Sequence, residues 1–242
     1  MMNRFVRLLL AIVLLMNFNS YSYAAKGAAS VYKITITKVE LCETGSTISN
    51  CLNPDDITVG GGVADVDIAA VTAGEAAGVV ADFSRLTPGK TYTYLQAILK
   101  REMKISGVAD GCYTENDGVY NANGGRAVGS TSSSDQAEVS LFVPYFSQND
   151  SFLMIEGSSD ASGTSLAEAG EIRSTDTHFR SRQVLSSSYT HKVGISPTVF
   201  LAFDTSLGVE DDKIYTGSPG TCGSDETLGA APPTQTITIQ GQ

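Results

Sequence analysis

The sequence predicts an all-β protein built as an antiparallel β-sandwich with long polar loop insertions. Three observations support this fold class. Apolar residues alternate with polar ones over several short segments, no helical period is sustained, and clusters of Gly, Ser and Asn separate the segments. Only 17% of the 242 residues are charged. We expect one domain over residues 25–242, which is long enough to bury a substantial core.

The N-terminus has the pattern of a cleavable secretory signal, predicted here for residues 1–24. Arg4 and Arg7 precede an apolar run at 8–16, and Ser22 and Ala24 are small residues before the expected cleavage site. The run is too short to span a bilayer as a helix. No cysteine follows the cut to accept a lipid, so the mature protein is expected in the periplasm, at the cell surface or outside the cell.

The charge of the mature chain excludes two classes of partner. The signal carries two of the 16 basic residues and none of the 26 acidic ones, which leaves a net charge of −12. Nucleic acid and anionic membrane surfaces would both repel such a protein. No second apolar run of membrane-spanning length occurs, so we expect no stable membrane insertion after the signal is removed.

Four cysteines lie in the exported part, and an even number in an oxidising compartment predicts two disulfides. Three connectivities are possible. We favour Cys42 with Cys51, because the residues between them form a polar loop joining two strand ends, and Cys112 with Cys222. Metal binding by these cysteines is disfavoured, because no C-x-x-C spacing occurs.

Alternating segments predict seven strands. In the first strand, the apolar residues change from even-numbered to odd-numbered positions near Thr37, which predicts a bulge. The turn-rich residues 144–150 predict a hairpin between the fourth and fifth strands. Taken in order, the predicted strands are 31–41, 65–71, 91–105, 138–143, 151–156, 198–203 and 234–240. A short helix is the alternative for 65–71, because its alanines favour neither structure. Two stretches are expected to be long loops: residues 115–135, and an insertion at about 157–194 in which 166–185 is a candidate short helix.

A local motif precedes the third predicted strand. Residues 86–92 read L-T-P-G-K-T-Y, in which Pro88 and Gly89 set a turn and Leu86 and Tyr92 pack beneath it. This resembles the tyrosine corner of immunoglobulin-like and fibronectin type III sandwiches. With it, residues 31–101 are similar to an uncharacterised family of bacterial exported β-sandwich domains, many of them in lipoproteins. The resemblance implies a fold of this kind, or a jelly-roll-like one, and an exported location, but no activity.

No catalytic motif is recognisable. The G-x-S-x-G elbow of serine hydrolases does not occur, and the two histidines, His178 and His191, match no H-x-x-x-H or H-E-x-x-H metal pattern. Either histidine could pair with Asp176 or a nearby serine, but loop histidines seldom do chemistry. We therefore predict a non-enzymatic protein. A secreted hydrolase ranks third among the predicted functions, after the two that are given below.

Acidic clusters in predicted loops are the candidate metal ligands, because Ca²⁺ takes six to eight oxygen ligands. No other cofactor is expected. Solvated loop carboxylates remain the favoured interpretation, because none of the clusters matches the D-x-D-x-D-G loop. The candidate ligands are Asp55, Asp56, Asn116, Asp117, Glu210, Asp211 and Asp212.

The predicted function is that of a structural or adhesive component. Residues 25–30 and 234–240 could add strands to a neighbouring molecule, although pairing within the same chain is the favoured reading. Partners would be further copies of this chain, other surface proteins or glycans. A module that binds a glycan or a Ca²⁺-dependent ligand is the alternative.

Overall fold

A computed structural model describes residues 26–70, 81–115, 127–143, 155–167, 171–195, 197–211, 222, 227–231 and 233–240. The predicted signal at 1–24 lies outside these residues. Regular structure in the described part is β, apart from 3-10 turns at Phe83–Arg85 and Ser133–Asp135. The strands are β1 (Lys26–Gly27), β2 (Ala29–Glu43), β3 (Asp55–Asp56), β4 (Val63–Asp67), β5 (Thr91–Lys100), β6 (Glu102–Ala109), β7 (Cys112–Glu115), β8 (Ala127–Ser130), β9 (Val139–Phe142), β10 (Ile155–Ser158), β11 (His178–Thr190), β12 (Thr198–Asp204), β13 (Val209–Asp211), β14 (Thr227–Ala230) and β15 (Thr234–Gln240).

The strands form two antiparallel sheets, which confirms the all-β, sandwich-like prediction. Thirteen strands make the larger sheet, whose main path runs β1-β13-β14-β8-β7-β6-β2-β5-β11-β10. β3 and β4 add to β2, and β9 adds to β6. The smaller sheet is the β12–β15 pair. The long strands β2, β5 and β11 lie side by side and position the site described below.

The larger sheet curls back on itself. β1 and β2 are nearly continuous in the chain, yet β1 pairs with β13 at one end of the path and β2 pairs with β6 further along. This curl brings the backbone of Gly27 close to β6, because an added Cβ at Gly27 would lie 1.9 Å from the carbonyl oxygen of Val108. Only glycine fits there without moving β6.

The bulge expected in the first strand is present. The register of β2 against β5 shifts between Ile36 and Lys38, on either side of Thr37. An extra residue on one strand reverses which side chains face inward. Ile34 and Ile36 before the bulge, and Val39 after it, are therefore all buried.

Residues 91–105, predicted as one strand, form two. β5 ends at Lys100 and β6 begins at Glu102 because the chain turns at Arg101. The buried guanidinium of Arg101 donates to the carbonyl oxygens of Val143 at 2.8 Å and Asp176 at 2.7 Å. Contacts with segments distant in sequence hold this turn, so local periodicity did not reveal it.

The predicted hairpin between the fourth and fifth strands is wrong. β9 pairs with β6, and β10 pairs with β11, so the two strands do not pair with each other. Alternation identified both segments as strands, but it carries no information about which strand lies alongside.

The segment 157–194, predicted as a polar insertion, contributes β11 to the larger sheet. β11 is thirteen residues long and pairs with β5 on one side and β10 on the other. The candidate helix over 166–185 is therefore wrong. Phe179, Leu185 and Tyr189 of β11 are buried, as is the polar Arg182, whereas the serines at 186–188 are exposed.

Both predicted disulfides form, Cys42–Cys51 and Cys112–Cys222. The first joins positions 9 residues apart and the second joins positions 110 residues apart. The Cys112 sulfur lies so close to Gly129 that an added Cβ there would stand 2.0 Å from it. In the described part of the chain, no helix has the length and apolar character needed to cross a membrane.

Candidate functional site

Charged and amide side chains form a row across four neighbouring strands. Glu40 of β2 lies opposite Gln96 of β5, which lies opposite Arg182 of β11. Arg180, two residues before Arg182, lies opposite Glu156 of β10. Because side chains two residues apart share a face of a strand, all five point to the same side of the sheet.

These side chains are hydrogen bonded in a continuous chain. Gln96 Nε2 donates to Glu40 Oε2 at 2.5 Å, and Arg182 Nε donates to Gln96 Oε1 at 2.6 Å. Arg182 Nη2 and Arg180 Nε both donate to Glu156 Oε2, at 3.1 and 2.6 Å. Glu40, Gln96, Glu156 and Arg182 are buried. We call these residues, with Lys38, the charge ladder.

Lys38 completes the ladder at its β2 end. Its Nζ lies 2.6 Å from Glu40 Oε1. The ladder thus contains three cations, Lys38, Arg180 and Arg182, and two carboxylates. Burial lowers the pKa of Arg182, while the neighbouring Glu156 opposes that shift. The guanidinium stays charged, because arginine does not lose its proton in proteins.

A cavity of about 200 Å³ lies above the charge ladder, between two loops. Ser49, Asn50 and Pro54 line one side, and Ser162 and Thr164 line the other. The floor consists of ladder residues together with Ile98 of β5. This is a small polar recess whose base is charged and whose walls carry hydroxyl and amide groups.

A disulfide holds the first loop, and hydrogen bonds to one carboxylate hold the second. The Cys42–Cys51 disulfide closes the first, whose Ile48 carbonyl also accepts from Arg182 Nη1 at 2.5 Å. Asp160 closes the second, because its carboxylate accepts from the backbone N–H of Ser162, Thr164 and Ser165. Hydrogen bonds from this turn, the one from Ser162 first, hold the pKa of Asp160 well below its ordinary value.

Asp55, a predicted calcium ligand, instead closes the predicted tyrosine corner. The Tyr92 hydroxyl accepts from Thr87 N at 3.2 Å and donates to the Asp55 carboxylate. Asp55 also accepts from Lys90 Nζ at 2.8 Å. Leu86 and Tyr92 are buried beneath the turn, and Gly89 has a φ of 82°, which favours glycine. The Tyr92 contact to upstream backbone is the one that the L-x-P-G-x-x-Y motif predicts.

Of the other calcium candidates, the structure describes the side chains of Asp56 and Glu210. Asp56 accepts from the backbone and hydroxyl of Thr58, and Glu210 lies 3.9 Å from Lys26 Nζ. Asn116, Asp117, Asp212 and the side chain of Asp211 lie outside the described residues. Within the described ranges, no three His, Cys, Asp or Glu side chains are placed to share a metal ion.

The two histidines are buried in or beside the sheet, rather than exposed in a loop as expected. His178 begins β11, and its Nδ1 lies 2.8 Å from Thr177 Oγ1. His191 Nδ1 lies 3.0 Å from the Tyr189 hydroxyl. Asp176, their predicted partner, accepts two hydrogen bonds from Arg173 Nε and another from Arg173 Nη2. Burial and the positive charge of Lys100 lower the pKa of His178.

Sequence reasoning missed the charge ladder. One pattern could have revealed part of it: polar residues at i and i+2 within a predicted strand, as in Lys38 with Glu40. Arg180 and Arg182 have the same spacing, but they lie in the segment that was predicted as an insertion. Such pairs are ordinarily assigned to the solvent face of a sheet. Here two loops cover that face, and loop placement is a tertiary property.

The fold and the site define the chain as a disulfide-bonded, all-β protein with a buried charge ladder beneath a small polar cavity. Comparisons with models of protein families, with curated protein sequences and with solved structures found no match.

Proposed function

We propose that this chain is an exported, non-enzymatic protein that serves as a structural or adhesive component at the cell surface or outside the cell. Two disulfides support an oxidising environment. The predicted signal at 1–24 agrees with export. The proposed export is tested by mass spectrometry of the secreted protein, whose N-terminus is expected near Ala25.

The observation that carries the proposal is that β12 and β15 form a two-stranded sheet of their own. Seven residues of each strand pair with one another, and neither strand has a second hydrogen-bonded partner strand in the described part of the chain. β15 packs beside β11, where Ser186 Oγ lies 3.4 Å from Thr238 Oγ1. Ile237 and Ile239 anchor β15 in the core. Exposed strand edges offer N–H and C=O groups to another chain, and most proteins block them. Strand addition between copies is a mode of assembly that such edges serve.

Paired charges support a structural rather than a catalytic role. Glu40 and Glu156, the two ladder carboxylates, are separated by the side chains of Gln96 and Arg182. A glycosidase needs two carboxylates that converge on one bond. Each of these carboxylates instead accepts hydrogen bonds from side chains that fasten neighbouring strands together.

Sedimentation velocity of the oxidised mature protein tests assembly. We expect oligomers whose fraction rises with protein concentration. Thr236 is exposed on β15, and Thr236→Lys places a charge beside the open edge, which should reduce association. Thr131→Lys adds the same charge to an exposed turn after β8 and is the matched control. A parent protein that stays monomeric at every concentration would contradict the proposal.

Ligand binding is a second candidate function, and the cavity above the charge ladder favours it. The Ca²⁺-dependent form is less well supported, because Asp55 already accepts a hydrogen bond from the cationic Lys90 and Asp56 accepts from Thr58 in its own loop. Melting in EDTA and in excess Ca²⁺ separates the two forms. An unchanged melting temperature would remove the calcium version and leave the cavity as the binding site.

A further inference from the structure

We propose that β12 pairs antiparallel with β12 of a second copy of this chain, across a two-fold axis at the middle of the strand, to form a dimer. The inference rests on the proposed function, assembly through an open strand edge, and adds which strand pairs, with what partner and in which direction. Three observations support it: the open edge of β12, the exposed apolar residues at both of its ends, and the opposite charges of those ends.

The outer edge of β12 is suited to pairing. Among the described strands, β15 is the one that pairs with β12, and β15 also packs beside β11. The edge of β12 that faces away from β15 is therefore the one that another chain can reach. Residues 198–203 read T-V-F-L-A-F, with no charged residue and no proline. Charged residues and proline are means by which edge strands usually avoid pairing, so this sequence favours it.

Exposed apolar side chains lie in the turns at both ends of β12. Val193 and Ile195, before the strand, are 80% and 39% exposed, and Leu207, after it, is 57% exposed. In an antiparallel pair the start of one strand lies beside the end of the other. Ile195 of each copy then lies beside Leu207 of the other copy. Burial of these side chains stabilises the dimer at both ends of the paired strands.

The two ends of β12 also carry opposite charges. Lys192 is exposed in the segment before the strand, and Asp204 is its exposed last residue. Hydrogen bonds from Ser206 lower the pKa of the Asp204 carboxyl, so this residue stays ionised. Antiparallel pairing directs Lys192 of one copy toward Asp204 of the other, whereas parallel pairing would bring like charges together.

The charge of the whole chain favours this surface for contact between copies. The full chain has a net charge of −10, so two copies repel one another over much of their surface. An uncharged strand with one cationic and one anionic end lets them meet without placing like charges side by side. Because a two-fold contact uses the same edge of both copies, it closes at a dimer and leaves no β12 edge for a third copy.

Sedimentation velocity of the oxidised mature protein over a dilution series tests the inference through a reversal of charge. Ile195→Asp places an anion beside Asp204 of the second copy, and Leu207→Lys places a cation beside its Lys192. Each single substitution also removes an apolar contact. Each should raise the dissociation constant of the dimer at least about tenfold.

The double variant, Ile195→Asp with Leu207→Lys, should regain most of the lost association, because each introduced carboxylate then lies beside the introduced ammonium of the other copy. The two positions cannot pair within one chain, because the seven residues of β12 separate them by about 20 Å. Val184→Asp, at an apolar residue of β11 that is 62% exposed, is the control and should associate as the parent does.

Each result supports or overturns the inference. If the parent protein assembles but either single variant associates as it does, the pairing of β12 is refuted and the proposed assembly stands. A double variant that associates no better than the single variants would refute the antiparallel direction, and assemblies larger than a dimer would refute the two-fold closure. A parent protein that is monomeric at every concentration would refute both this inference and the proposed assembly. Should Ile195→Asp fail to fold, Leu207→Lys alone still tests the contact.

Discussion

The hydroxyl of Tyr92 donates a hydrogen bond to the carboxylate of Asp55, which lies 37 residues earlier on β3. The same hydroxyl accepts from the backbone of Thr87 at 3.2 Å, and Thr87 N also donates to Asp55 at 2.8 Å. One buried phenol therefore fastens the turn before β5 to a strand on the far side of the first disulfide loop.

Loss of this hydroxyl should destabilise the fold. Tyr92→Phe leaves Thr87 N and Asp55 with one partner fewer, and we expect the free energy of unfolding to fall by about 1–3 kcal/mol. Urea unfolding measures the change. Tyr113→Phe is the control, because its hydroxyl has no hydrogen-bond partner among the described residues. Equal effects of the two substitutions would contradict a structural role for the Tyr92 hydroxyl.

Asp55 should make the fold sensitive to acid. Burial would raise the pKa of its carboxyl, but hydrogen bonds from Lys90, Tyr92 and Thr87 outweigh burial and hold it well below its ordinary value. The folded state thus binds this proton less readily than the unfolded chain does. The stabilisation is present above the ordinary Asp pKa of about 3.9 and is lost as the pH falls below it.

Urea unfolding across a pH series tests this dependence. Asp55→Asn should lower stability at neutral pH and flatten the loss of stability in acid. Asp65→Asn, at an exposed residue paired with Lys104, is the control and should keep the slope of the parent protein. A slope unchanged by Asp55→Asn would show that other carboxylates govern the acid sensitivity.

Removal of the Glu156 carboxylate, which Arg180 and Arg182 share, should destabilise the fold more than loss of an exposed ion pair. Glu156→Gln leaves Arg180 and Arg182 without an anionic partner, and we expect a loss of about 3–5 kcal/mol, as for other broken buried ion pairs. Glu138→Gln breaks the exposed pair with Lys33 and should cost at most about 1 kcal/mol. Similar losses for both variants would mean that the ladder is solvated.

The two disulfides should differ in their effect on stability. On the chain-entropy model, the short Cys42–Cys51 loop contributes about 2.7 kcal/mol and the long Cys112–Cys222 link about 4.8 kcal/mol. Replacing both cysteines of one pair by alanine removes each bridge in turn, and chemical denaturation measures the loss. A larger loss from the short bridge would indicate that loop length does not determine the contribution of either disulfide.

Local patterns in the sequence predicted about half of the strands, and they did not predict which strands lie side by side. Alternation located β2, β9, β12 and β15, because a half-buried strand has a period of two. It failed at Arg101, where a buried guanidinium held by Val143 and Asp176 turns the chain. It also failed at β11, whose serines and arginines have the composition of a loop.

The candidate functional site could be predicted from the sequence less well than the strands could. Asp55 and Tyr92 were both identified from sequence, but with unrelated roles, and only their spatial proximity joins them. Glu40, Gln96 and Arg182 come from three strands that pair across separations of 56 and 86 residues. No window of sequence contains such a set.

The sequence by itself determined the all-β class and the motif at residues 86–92, because these depend on local periodicity and turn chemistry. It favoured one of three possible pairings of the four cysteines, and the structure has that pairing. Tertiary structure alone decided the curl of the larger sheet, the order of its strands and the burial of the charge ladder. Those features depend on which surfaces lie against one another. That is settled by the free energy of the whole folded chain rather than by any segment of it.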